Sequence, residues 1–325
     1  MAISAIPLPA KIRARRLATR LLPGALMQLP EWWHLLSLDA PTVAVLWAWS
    51  FARVVHVHLS PASLAILGLG TWLVYVADRI LDGLRPKSIL ILRRRHFFHA
   101  RYRLAFLLAA LAAGTTLVWL IFNRMLPVAR LEDYWLFGAA LLYFAVIHLL
   151  GGLQNINIER WFPKELAVGL LFALATAVPA QSRMLQTHLT ASADFGAHTI
   201  LALPVFLFGA LCCLNCLAIE AWESLPHAQH ASASAAHQRR PLVRWAQQHL
   251  SWMILFVGGM AAALMLLSHR SAPAAGRLYC AALASAAVLG LLHIRRNRLS
   301  ILSLRIAADA ALLTPLLLML PLHLI

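Results

Sequence analysis

The sequence predicts an all-α, polytopic membrane protein, a bundle of nine transmembrane helices with a cytoplasmic N-terminus, and three observations carry that prediction. Of the 325 residues, 61% are hydrophobic and only 12% charged, where a soluble domain carries about 25% charged residues. The apolar residues come in blocks of roughly 20, the length a helix needs to cross a hydrocarbon core of about 30 Å. The basic residues, finally, are distributed unequally about those blocks, as the positive-inside rule requires of a multi-pass protein.

Residues 1–36 form the first unit. Lys11, Arg13, Arg15, Arg16 and Arg20 precede an apolar stretch that Pro23 and Pro30 interrupt. That stretch is too short for a signal-peptide core, so no cleaved leader is expected. Residues 21–36, with Trp32 and Trp33, read as an amphipathic segment at the membrane surface, where indoles prefer to lie. Residues 37–325 form the transmembrane unit, whose apolar segments fall near 37–55, 61–81, 103–122, 134–153, 165–181, 198–219, 249–268, 277–294 and 301–323. Residues 226–241, PHAQHASASAAHQRRP, lack an apolar period and read as a flexible cytoplasmic loop. His227, His230 and His237 within it are open to a zinc reading and to that of solvated loop histidines.

Counting Lys and Arg between these segments places 21 on the side of the N-terminus and six on the other (Arg53, Arg124, Arg130, Arg183, Arg270 and Arg277), with Arg79 left inside a span. The N-terminus is therefore expected in the cytoplasm and, the span number being odd, the C-terminus outside. The net charge of +16 then orients the chain in its membrane, and nucleic acid is not an expected partner. No protein partner is legible either. Cys212, Cys213 and Cys216 lie inside an apolar run, where cysteine behaves as a small hydrophobe.

The informative residues are the charges within spans, since an ionised side chain near the bilayer centre costs at least about 2.5 to 3.5 kcal/mol. Asp78 and Asp82 end the second segment, four residues apart and so on one helix face. Either a bound Mg2+ lies between them, or Arg79 and the basic loop that follows neutralise them. Glu220 and Glu223, with Asn215 two turns earlier, end the sixth segment in the same way. By parity the second and sixth helices run in the same direction, so four carboxylates can converge at one cytoplasmic depth. Arg305 and Asp309, again i and i+4, read as a pair that neutralises itself. Asp39 and His148 read as lone polar residues satisfied by a neighbouring helix. Arg160, Lys164 and seven basic residues of the 83–103 stretch lie on the same side as the acids. Carboxylates for a divalent metal beside cations for oxyanions are what a pyrophosphate ester requires as its leaving group departs, and the surrounding spans would hold a lipid tail.

These residues resemble the pattern of the UbiA superfamily of intramembrane prenyltransferases, which have nine transmembrane helices and aspartate-rich motifs on the second and sixth. Asp78 and Asp82 match the last two acids of its NDxxDxxxD motif, with the frequent Asp-Arg pairing kept as Asp78-Arg79. Glu220, Glu223 and His227 match the spacing of its DxxDxxxD motif, and the stretch from Arg160 to Lys164 looks like its basic lead-in to the fifth helix. Val74 and Tyr75 stand where the first motif has Asn and Asp, and Ile219 where a Lys often precedes the second.

The resemblance implies Mg2+-assisted transfer of a prenyl group from its diphosphate to an aromatic or other lipid-soluble acceptor. It implies Mg2+ on Asp78, Asp82, Glu220 and Glu223, the catalytic set. Asn215, Arg79, Arg160, Lys164, Tyr75 and His227 would bind the substrate, in the inner (plasma) membrane with the active face cytoplasmic. The loss of ligands at Val74 and Tyr75 motivates a second reading, a catalytically silent isoprenoid- or lipid-binding member. A third, an ion-relaying transporter, requires polar residues along a path through the bilayer, whereas here they gather at one end.

Overall fold

In a computed structural model the structure describes residues 29–84, 98–99, 101–149, 164–188, 201–230, 241–268 and 272–319. All regular structure among them is helical. A short α1 (Leu29–Leu35) precedes α2 (Asp39–Val54), α3 (Pro61–Leu84), α4 (Arg103–Arg124), α5 (Pro127–Leu149), α6 (Lys164–His188), α7 (Ala202–His230), α8 (Pro241–Ser268) and α9 (Pro273–Arg295). A 3-10 turn (Arg296–Arg298), α10 (Ile301–Ala311) and α11 (Pro315–Met319) follow. Six helices are long and apolar enough to cross a membrane, namely α3, α4, α6, α7, α8 and α9. The bent pair α1 and α2 would make a seventh.

Two expected segments are shorter as helices than as apolar runs. The first, 37–55, yields the 16 residues of α2, which begins at a 92° corner with α1. Ser37, at φ 61°, makes that corner, a backbone state few residues other than glycine adopt. The last, 301–323, is divided into α10 and α11 around residues 312–314. Pro315 has no N–H to give and disfavours the helical state in the residue before it. The Leu316 N–H bonds Leu313 instead, so the Leu312 carbonyl loses its partner within the helix. Trp47 of α2 supplies one, its Nε1–H donating to that oxygen at 2.8 Å. Buried carbonyls need such a donor.

The helices close around α2, which packs on α3, α6, α9, α10 and α11. Its Trp47 stacks on Phe208 of α7 with ring centroids 4.2 Å apart, and Phe51 meets the same ring edge-on at 5.8 Å. From there α6 continues to α7, α7 to α8 and α9, while α4 lies outside α3. Leu104, Leu108 and Leu111 of α4 and Leu255 and Phe256 of α8 face outward, the position of lipid-facing side chains. The core itself is rich in alanine, including Ala44, Ala48, Ala261, Ala281 and Ala282, so the helix backbones approach closely as in other membrane bundles.

Candidate functional site

One cluster of charged and polar side chains forms where the first turn of α2 and the later turns of α10 lie near side chains of α3 and α7. The α1–α2 corner builds one half. Ending α1 abruptly leaves its last carbonyls without helical donors, and side chains of α3 supply them. Arg79, only 3% exposed, donates through Nη1 to the His34 carbonyl at 2.8 Å and to Ser37 Oγ at 2.6 Å. Its Nη2 lies 3.4 Å from Asp39 Oδ2. Trp72, two turns earlier on the same helix, donates to the Leu36 carbonyl at 2.9 Å. The His34 ring then sits beside the start of α2, with Nδ1 2.8 Å from Asp39 Oδ2. His99 stacks on Phe106 at 4.1 Å and reaches Ser37 Oγ at 3.3 Å.

The other half joins α7 to α10. Asn215 Nδ2 donates to Asp309 Oδ1 at 3.1 Å, and Arg305 Nη1 donates to Glu223 Oε1 at 2.6 Å. The halves touch where His34 Nδ1 lies 3.7 Å from Asp309 Oδ2. Tyr75 of α3 lies in the neighbourhood of Asp39, Asp309 and Cys216.

The sequence-predicted residues divide between this cluster and its margins. Asn215, Arg79, Tyr75 and Glu223 belong to it. Asp78, next to Arg79 and so turned about 100° from it on the helix, is half-buried, as is Glu220. The side chains of Asp82, Lys164 and His227, the whole of Arg160 and the His148 side chain lie outside the described residues. Among the described residues, one group of His, Cys, Asp or Glu brings its ligand atoms within 4.8 Å of one another, and it is His34, Asp39 and Asp309. Asp78, Glu220 and Glu223 form no such group, and Arg305 occupies Glu223 Oε1. The described members of the expected Mg2+ set therefore do not fit one shared ion in this arrangement.

Arg305 and Asp309 do not pair with each other as their spacing suggested. Each turns to a residue of α7, because Glu223 and Asn215 present their side chains from the facing helix. Asp39 is satisfied by neighbouring helices, as expected, through Arg79 of α3 and His34 of α1. Sequence reasoning passed over His34, Ser37 and His99 altogether. The available signal was Arg79 itself, a cation inside a span that had to have acceptors nearby. No family model, curated protein or solved structure matches the chain.

Proposed function

We propose that this chain is an intramembrane transferase of the UbiA type, with nine spans and a cytoplasmic N-terminus. It moves a prenyl group from its diphosphate to an aromatic or other lipid-soluble acceptor at the cytoplasmic face of the inner membrane. The observation that carries the reading is one polar cluster in a largely apolar bundle, to which α3 brings Arg79 and α7 brings Asn215 and Glu223, joined through His34, Asp39 and Asp309. A diphosphate ester with a lipid tail has the same division, a charged head and an apolar body. On this reading Arg160 and Lys164 take the charge of the departing pyrophosphate. The apolar helices keep water from the carbon left behind until the acceptor attacks it. Asp78 with Asp82 and Glu220 with Glu223 are candidate Mg2+ ligands as two separate pairs, not about one shared ion, and Mg2+ so held would neutralise diphosphate charge.

Purified protein given prenyl diphosphates and a panel of acceptors is expected to release pyrophosphate in a Mg2+-dependent manner, and Asp78→Ala and Glu220→Ala are expected to abolish the release. Absence of turnover, with lipid binding intact in both variants, overturns the transfer reading.

One observation favours a second reading, a silent isoprenoid or lipid binder. Arg305 is bonded to Glu223, and Arg79 to Ser37, the His34 carbonyl and Asp39, so two cations of the site are engaged by the protein's own groups. Restoring the motif with Val74→Asn and Tyr75→Asp separates the two readings. Activity that appears only after restoration identifies the natural chain as a binder.

A further inference from the structure

We propose that His34, Asp39 and Asp309, beside Asn215, form a binding site for a divalent cation of the zinc class, distinct from any ion that accompanies a diphosphate. Both carboxylates are held in the same way. Asp39 Oδ1 accepts from the Ala40 N–H at 3.0 Å and Asp309 Oδ1 accepts from Asn215 Nδ2 at 3.1 Å. The two Oδ2 atoms approach a single imidazole nitrogen, His34 Nδ1, at 2.8 and 3.7 Å, with Arg79 Nη2 also 3.4 Å from that of Asp39. Ligands about 2.0 to 2.2 Å from one ion lie about 3 to 3.5 Å apart when tetrahedral or cis-octahedral, and the two separations bracket that spacing. Hydrogen bonds that orient ligating atoms in this way are the usual support of a metal centre.

Two independent observations point to a ligand. The Asn215 Oδ1 atom, on a side chain whose residue is 5% exposed, accepts no hydrogen bond, although its amide is fixed beside the Asp309 carboxylate. A buried carbonyl oxygen left so is costly unless something electropositive adjoins it. Asp309 is the second. Arg79 lies against Asp39 and Arg305 against Glu223, but among the described residues no Lys or Arg reaches Asp309 within ion-pair distance. An imidazole nitrogen among carboxylate oxygens suits Zn2+ or Mn2+, whereas Mg2+ prefers oxygen ligands alone.

The full-length protein in detergent, stripped with a chelator, would be titrated with Zn2+ alone in the absence of any diphosphate. One Zn2+ per chain is expected, with at least about tenfold weaker binding in His34→Ala and in the isosteric Asp309→Asn. Binding is expected to be unchanged in Asp78→Asn, in Glu220→Gln and in a triple alanine variant of His227, His230 and His237. X-ray absorption of the Zn2+-loaded natural chain, which needs no variant to fold, is expected to show one imidazole among oxygen ligands. No saturable binding to the natural chain overturns the proposal, as does a spectrum dominated by imidazoles. Binding that survives Asp309→Asn but is lost in the loop triple variant overturns it too. Because diphosphate is absent throughout, failure here is distinguishable from failure of the transfer reading.

Discussion

Arg79 shows what a single charge inside a span has to do to remain there. Its guanidinium meets a helix-end carbonyl, a hydroxyl and a carboxylate at once, a fork that a lysine ammonium does not reproduce. Replacing it with methionine keeps the packing volume but strands Asp39, itself 3% exposed, and unties the α1–α2 corner. We expect a loss of about 3 kcal/mol or more, the scale of breaking a buried ion pair on one side, read as a lowered melting temperature in detergent. Arg79→Lys should recover only part of it. Asp78→Ala, at the half-buried neighbouring position, should change stability by no more than about 0.5 kcal/mol. The sequence marks both residues equally as charges near a helix end. Only the direction in which each side chain leaves the helix separates them, and that is fixed by the packing of α3 on α2, which no local pattern contains.

At the scale of elements, the tightest approach at any described glycine joins α6 to α7. A Cβ added to Gly169 would lie 2.6 Å from Cys213 Sγ, 2.7 Å from its backbone nitrogen and 3.0 Å from its Cα. Backbone atoms cannot rotate aside, so Gly169→Ala must part the two helices. An expected cost of about 1 to 3 kcal/mol follows, checked by thermal unfolding in detergent. Gly259→Ala, on α8 with nothing within 4 Å, is the contrasting case and should be neutral or stabilising by up to about 1 kcal/mol. The helices were largely legible because apolar runs such as 61–81 and 103–122 must be helical to satisfy their backbones in lipid. The division of 301–323 was visible in Pro315, yet a run of leucines on both sides outweighed it. The cluster was less legible. Asn215 and Asp309 are 94 residues apart and His34 is farther still, and pairings across such distances leave no periodic trace.

For the molecule as a whole, the unequal distribution of basic residues, 21 to six, makes a prediction independent of any chemistry. On the proposed topology, single cysteines introduced into a cysteine-free background at positions 90 and 235 should react with a membrane-impermeant maleimide only after the cytoplasmic side is opened. A cysteine at position 126 should react from outside. Labelling of all three from one side would overturn the orientation. The bond between Trp47 and the Leu312 carbonyl has a consequence for the order of events in the cell. Its two ends are 265 residues apart, and at roughly 5 to 20 residues per second the ribosome needs about 13 to 53 s to travel that distance. During that interval α2 is already made, while the acceptor its indole will bond and the α10 face it will pack against are not. The tryptophan of α2 therefore stays uncommitted until residue 312 has been made and α10 can pack beside it.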